Sequence, residues 1–526
     1  MKQAQPEVAE DPVLEAMTSE MQRSKSQLKL EQTAAPYYIE YRIIDMDALA
    51  ADASFGALRT DVHTRIRFLR VVVRVGNYKQ DSFFGQGQGV VEIAPLEDNL
   101  LPMRHQIWLA TDQAYKAATE ALSAKQAQLK QFQVDQPIDD FAHADPLQSI
   151  RPLVRLTIGA EPWANMLQRA TALYRTDPQI ESFTANLNFQ AVNRYFLNSE
   201  GTVVRDGQTL YEMAMATSTQ ASDGMRLDRS WAYTVDDAKD LPSADEFLAR
   251  GTALRDSLKE LRDAPVVDEE YRGPVLFSAD AASSVLLGLV AGNVLGIRPE
   301  LGKPARTVGE WATAYKSRVL PEFLSVVDDP TLLTMNGKRL MGHYEVDDEG
   351  VKAVKVPVIE NGRLINYLMG RTPIRDFPSS NGHSRARVPS NYPGPSLGNL
   401  IVTSSEPVAP EALKKKLIEL CQQRELPYGY FVETMGGMAP RLLYRVYVKD
   451  GHQELVRGAN FGDLDLRALR NDLVAAGNDV NVESHLLNIP HSIVNPSLLF
   501  GELEVKRANA DRETLPEYPA PAISGK

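Results

Sequence analysis

GPVLFSADAASSVLLGLVAGNVLG, residues 273–296, is the stretch whose reading decides this chain. Its one ionisable residue is Asp280, and from Ala281 to Ile297 nothing is more polar than Ser283, Ser284, Asn293 and the glycines. A membrane span requires roughly 17–25 apolar residues, so this run sits at or below the minimum. The reading that remains is a helix buried in a core, and that requires a protein large enough to enclose it.

The rest of the chain supplies the bulk. With 526 residues, 43% hydrophobic and 24% charged, it reads as a globular protein of two or three domains. The 57 Lys+Arg against 69 Asp+Glu leave a formal charge of -12, which disfavours non-specific attraction to nucleic acid or to an anionic membrane. Neither is expected as a partner. The single cysteine, Cys421, excludes an intramolecular disulfide framework and any multi-cysteine zinc site. Its helical pattern with Leu413, Leu417 and Leu420 reads as core packing. Met1 to Pro12 is polar and acidic with no apolar h-region, so no secretory leader is read here, although the same opening suits an exported protein whose signal peptide has been removed.

Periodicity gives an α+β fold in four parts. Residues 1–35 form a tail and a helix beginning at Asp11-Pro12, with Val13, Leu14, Met17, Met21 and Leu28 on one face. Residues 36–264 form an N-terminal α/β domain with a β meander. Its first strands read as YYIEYRIIDM, LAADASFGAL and HTRIRFLRVVVRV, alternating as a sheet with one covered face does. A helix spans Ile107 to Phe132 with Trp108, Ala114, Ala118, Leu122 and Leu129 inward, a connection follows over residues 133–150, and a short helix runs from Trp163 to Tyr174. The meander then turns at Asn198 to Gly201, and Ser243 with Glu246 forms a capping box for a helix to Ala264. Residues 265–507 are a mostly antiparallel, β-rich C-terminal domain, broken by helices at Glu411–Arg424 and Asp465–Ala476. Residues 508–526 form a loosely held tail.

Candidate chemistry is sparse. Eight histidines include no HExxH. The nearest approach to a ligand set is Glu483, His485 and His491, where Pro490 breaks any helix. VDDEG, Val346 to Gly350, reads as a turn rather than a cation loop, with Gly350 supplying positive φ. GQGQG at Gly85 to Gly89 has no helix N-terminus behind it, and no GxSxG or Walker-type motif is present. Two polar segments stand out. SSNGHSRARVPSNYPGPS places His383, Arg385 and Arg387 on a long Gly/Pro/Ser-rich loop. YFVETMGGMAP runs a strand into Glu433 and the pair Gly436-Gly437, where backbone can approach a peptide closely.

These segments, with VVDDPTL at Val326, DDEGVKAVKVPVIENGRLINYLMGR at Asp347 and LRNDLVAAGNDV at Leu469, resemble the TldD/PmbA (TldD/TldE) family of zinc-dependent peptidases and inactivated homologues once named modulators of DNA gyrase. The resemblance implies an N-terminal α/β domain and a mostly β C-terminal domain. Catalytic members carry HExxxH on the helix after a VxL strand, two histidines holding zinc and a glutamate activating water, with a later cysteine as third ligand. With Val285-Leu286-Leu287 read as the apolar residues before that motif, its positions are Gly288, Leu289, Val290, Ala291, Gly292 and Asn293, and Asn478 to Pro496 holds no cysteine.

The resemblance is therefore to the non-catalytic PmbA/TldE branch, with zinc in a TldD-like partner and no cofactor in this chain. It implies a dimer around a cavity that takes an unfolded or leader peptide, and a cytoplasmic location, or a periplasmic or secreted one if a signal peptide was removed. Peptide-binding residues are expected at His383, Arg385, Glu433, Gly436 and Gly437. Two further readings stay open: a peptide-binding homodimer without proteolysis, and a metallopeptidase with unorthodox zinc ligands drawn from Glu483, His485, His491 or His383.

Overall fold

A computed structural model describes residues 11–509 except 30–32, 132–137, 158–160, 178, 304, 388–391 and 486–488. The expected N-terminal tail and most of the expected C-terminal tail lie outside the described residues. Helix α1 (Pro12–Gln27) starts as the sequence implies: the Asp11 carboxylate accepts the Val13 and Leu14 amides, both at 3.1 Å, and Pro12 takes the first turn.

The N-terminal sheet is built on two long hairpins. Pro36–Ser54 pairs antiparallel with Ala57–Asn77 and, on its other edge, with Ile180–Asn198, which pairs with Val203–Gln220 and that in turn with Arg226–Val235. Where the sequence suggested three opening strands there are two. LAADASFGAL straddles the turn, with Phe55 and Gly56 both at positive φ, so its two halves belong to opposite strands.

One face of this sheet carries the helices. Ile39, Tyr41 and Ile43 pack beneath α1 and α2 (Leu100–Leu129), and Leu49 and Ala51, at the same parity along the strand, pack beneath α3 (Glu161–Thr171) and α4 (Ala244–Asp263). Helix α2 starts seven residues earlier than its periodicity suggested, and its inner line is Met103, Ile107, Ala110, Ala114 and Ala118. Trp108 therefore points outward, 48% exposed. The capping box on α4 is formed: the Ser243 amide donates to Glu246 at 2.8 Å and the Glu246 amide to Ser243 Oγ at 3.3 Å.

The opposite face is covered as well, contrary to the one-sided sheet the alternation suggested. Tyr38, Glu40 and Arg42 point from it into the C-terminal domain and are buried. Here the alternation signals a buried polar interface in place of solvent: Glu40 pairs with Arg42 and Arg70 of its own sheet, and Arg42 also donates across the domain boundary to the Asp348 carbonyl.

The C-terminal domain encloses the opening stretch. Tyr271–Phe277 is an inner strand of one sheet, antiparallel to Leu498–Arg507 and parallel to Tyr428–Gly436. Helix α5 (Ala279–Leu289) follows at once and packs against that sheet on one side and against the hairpin Asn481–His485/His491–Asn495 of a second sheet on the other. Ala281, Ala282, Val285 and Leu286 are fully buried in the largest core. This explains the absence of charge after Asp280: both faces of the helix are walled, and an ionised side chain would lose its hydration without gaining a partner.

Helix α6 (Pro410–Gln423) buries Leu413, Leu417 and Cys421, and burial pushes the Cys421 thiol up to about 11. Helix α7 (Leu466–Asn471) is shorter than expected, because Leu473–Gly477 leaves it to become a strand beside Leu498–Arg507.

Candidate functional site

Ser278 joins strand to helix. Its hydroxyl accepts the Ala281 amide at 3.0 Å and donates to the Glu433 carbonyl at 2.7 Å, tying α5 to the neighbouring strand. Val285, Leu286 and Leu287, the apolar residues read as preceding the zinc motif, lie inside α5, and the strand that precedes the helix ends at Phe277. The six motif positions, Gly288 to Asn293, fall at the C-terminal end of that helix and in the turn beyond it.

The first, second and sixth of these positions are Gly288, Leu289 and Asn293, so neither histidine nor glutamate stands there. Ser283 Oγ lies 2.7 Å from Asn495 Oδ1, and Asn481 donates to the same hydroxyl at 3.3 Å. Asn495 Nδ2 donates to the Ala279 carbonyl at 2.8 Å. A buried knot of neutral hydrogen bonds thus links α5 to the segment in which the third zinc ligand was sought. The motif positions do not fit a zinc ion, because Gly288 and Leu289 carry no side-chain group that could bind zinc or move a proton. Asn293 Nδ2 donates to the Leu289 carbonyl at 2.9 Å and its Oδ1 accepts the Glu310 amide at 2.8 Å. Gly288 faces the Met438 side chain, whose sulfur would lie 2.6 Å from a Cβ built there.

Beside the N-terminus of α5 opens a groove of about 1450 Å³ between the two domains. Arg229–Val235 forms one wall and Asn481–His485 the other, with Asp280 and Thr434 between them. Both walls are outermost strands of their sheets: Arg226–Val235 pairs only with Val203–Gln220, and Asn481–His485 only with His491–Asn495, among the described residues. Each therefore keeps a row of backbone donors and acceptors without a ladder partner.

Arg229 crosses between the domains, donating to Ser257 at 3.1 Å and to Thr434 at 3.0 Å. Desolvation pushes the Asp280 carboxyl up from its ordinary value, helped by repulsion from Glu483 and Glu433, while Arg229 pulls the other way. Trp231 and Tyr233, two apart on one strand, stack at 5.7 Å and line the same wall.

The expected site residues fall into two groups. His383 and Arg385 do not lie on an open loop. The His383 ring is fully buried with Nε2 3.2 Å from Asp328, and Arg385, 5% exposed, pairs with Asp348 at 3.2 Å. Arg387 lies two residues beyond, and residues 388–391 of that loop are outside the described set. Glu433 is solvent-exposed, accepting the Tyr444 hydroxyl at 3.0 Å, next to the groove residue Thr434. Gly436 and Gly437 turn the hairpin between Tyr428–Gly436 and Ala439–Tyr447, with Gly437 at φ +61°.

His485 and His491 face each other across a strand pair, stacked at 5.1 Å, with Glu483 3.2 Å from His485. Among the described residues no three His, Cys, Asp or Glu side chains are placed to hold a metal ion. Sequence reasoning missed Arg229, Asp280 and Asn481. The alternation of Trp231 and Tyr233 is the one local signal for the wall that carries Arg229. No described helix is long and apolar enough to cross a membrane.

Residues 270–507 match the family described as the PmbA/TldA metallopeptidase C-terminal domain. A metalloprotease of Methanocaldococcus jannaschii is 26% identical over 204 residues, spanning 37% of this chain and only 40% of that relative. A metalloprotease TldD homologue of Buchnera aphidicola is 22% identical over 383 residues, 68% of this chain and 74% of the relative. Among solved structures, TldE of Thermococcus kodakarensis matches with a TM-score of 0.59 at 12% identity, over 93% of this chain and 100% of that one. A Thermotoga maritima protein named as a modulator of a DNA gyrase matches with a TM-score of 0.59 at 15% identity, over 93% and 99%. At these identities the structures establish a shared fold. With residues 270–507 matched and a TldD homologue aligned over 74% of its length, the C-terminal domain of this chain belongs to the TldD/PmbA family.

Proposed function

We propose that this chain is a non-catalytic, TldE-like subunit of a zinc metallopeptidase complex, and that its groove receives an extended stretch of unfolded or leader peptide. The observation that carries this reading is the run Gly288–Asn293, which has no histidine or glutamate and whose last side chain, Asn293, is spent on the Leu289 carbonyl and the Glu310 amide where a zinc-bearing relative needs a histidine. The catalytic zinc then belongs to a TldD-like partner. The free strand edges Arg226–Val235 and Asn481–His485 support the peptide reading, because unpaired backbone groups accept an extended chain irrespective of its side chains. Glu433 and the Gly436-Gly437 turn sit near enough to Thr434 to belong to that surface, whereas His383 and Arg385 act from within the fold.

The test is the metal content of the chain purified after growth and dialysis with zinc, read by inductively coupled plasma mass spectrometry, followed by peptide cleavage with and without a TldD-like protein. Near-zero zinc, no cleavage alone and cleavage on mixing are expected. Stoichiometric zinc that survives a weak chelator would overturn the reading. Peptide capture by a stable homodimer that neither cleaves nor recruits a TldD-like protein would replace it with a binding function.

A further inference from the structure

Behind the groove lies a second cavity of about 340 Å³, sharing Asp236 and Arg339 with it. These two residues pair at 2.5 Å and form the partition. Four arginines and four acids line the cavity, and three of the pairs are closed: Arg339 with Asp236, Arg385 with Asp348, and Arg151 with Glu345.

The fourth pair is open. Arg194 and Asp206 are cross-strand partners on one sheet face, yet their nearest charged atoms are 3.9 Å apart, too far for a hydrogen bond. Among the described residues the Arg194 guanidinium donates to nothing. Asp206 Oδ1 is enclosed and has no donor, although the rest of that side chain remains reachable from the cavity. Burial pushes the Asp206 carboxyl up from its ordinary value, and Arg194 offsets this only in part. An unmet buried acceptor is costly, so an adjacent unmet donor and acceptor of opposite charge describe the complement of a missing group.

We infer that this cavity binds a free apolar α-amino acid, its carboxylate on Arg194 and its ammonium on Asp206. A zwitterion satisfies both groups at once, and an ion of either sign satisfies one and repels the other. Val154, Val204, Leu340 and Val346 give the lining an apolar portion that suits such a side chain, beside the polar Gln208 and His343. The volume is at the small end of the roughly 300–1,000 Å³ usual for small-molecule sites. The inference stands apart from the peptidase reading, since it needs neither the groove nor a partner subunit.

The test is isothermal titration of the full chain with L-leucine, N-acetyl-L-leucine and L-leucinamide near neutral pH. Leucine binding is expected, with at least a tenfold loss on capping either end. Arg194→Gln and Asp206→Asn should each weaken leucine tenfold or more while the far-ultraviolet circular dichroism spectrum is unchanged. The capped analogues need no variant, so the test stands even where a substitution unfolds the chain. No heat with leucine, or equal binding of leucine and either capped form, overturns the inference.

Discussion

The two domains meet along one boundary that is dry at one end and open at the other. At the dry end Arg371 is fully buried. Its guanidinium makes paired 2.7 Å contacts with Glu200, donates to the Ala142 carbonyl, and lies 4.0 Å from the centre of the Phe141 ring. At the open end Arg229 reaches Thr434 through a single hydrogen bond, and the partly exposed Arg339 reaches Asp236. Both ends use arginine to join the domains, but only the first excludes water. The lesson is that charge pairing can fasten or merely edge a cavity, and that desolvation decides which.

The largest expected effect is at the dry end. Arg371→Ala strands Glu200 in the interface and should cost about 3–5 kcal/mol, as breaking a buried pair does, read from urea unfolding. A loss below ~1 kcal/mol would abolish the distinction between the two ends. Next comes the knot beneath the groove. Ser283→Ala leaves the Asn495 carbonyl oxygen without its 2.7 Å donor and should cost about 1–3 kcal/mol. An unchanged midpoint would mean that solvent already reaches that knot.

The third prediction concerns pH at the dry end. Burial, with repulsion from Glu349, pushes the Asp347 carboxyl up to about 7. An unfolded aspartate titrates near ~3.9, so folding favours the protonated form. This contribution is complete below about pH 4, declines as pH rises and is gone above about pH 7. Glu349→Gln removes the repulsion, and a one-unit fall in the Asp347 value would shrink the decline by ~1.4 kcal/mol. Parallel stability curves for wild type and variant between about pH 5 and about pH 8 would contradict it. The smallest effect is at the open end: Arg339→Ala should change stability by less than ~1 kcal/mol, because that pair is partly solvated. A larger loss would make the partition a structural fastening.

Local chemistry was legible where a few neighbouring residues decide it. Asp11-Pro12, Ser243 with Glu246, the turn at Asn198 and the buried character of residues 281–286 read correctly, since caps, turns and apolar runs act over a handful of positions, whereas the helix ends at Leu289 and Ile297 is exposed. What failed was long-range. Nothing in Tyr38, Glu40 and Arg42 says that a second domain covers them, and nothing in SNGHSRA says that His383 turns inward to Asp328. The groove was hidden for the same reason: its walls are more than 240 residues apart in sequence, and its defining property is a pairing that does not occur.

Unpaired strand edges ordinarily invite one folded protein to aggregate with another. Here both edges look into a crevice of about 1450 Å³, far smaller than any folded domain, so a second copy cannot bring its own sheet alongside. A chain without tertiary structure can still enter. On the peptide reading proposed above, concealment of this kind keeps unpaired backbone away from other folded sheets and sorts chains by their state of folding before any side chain is read.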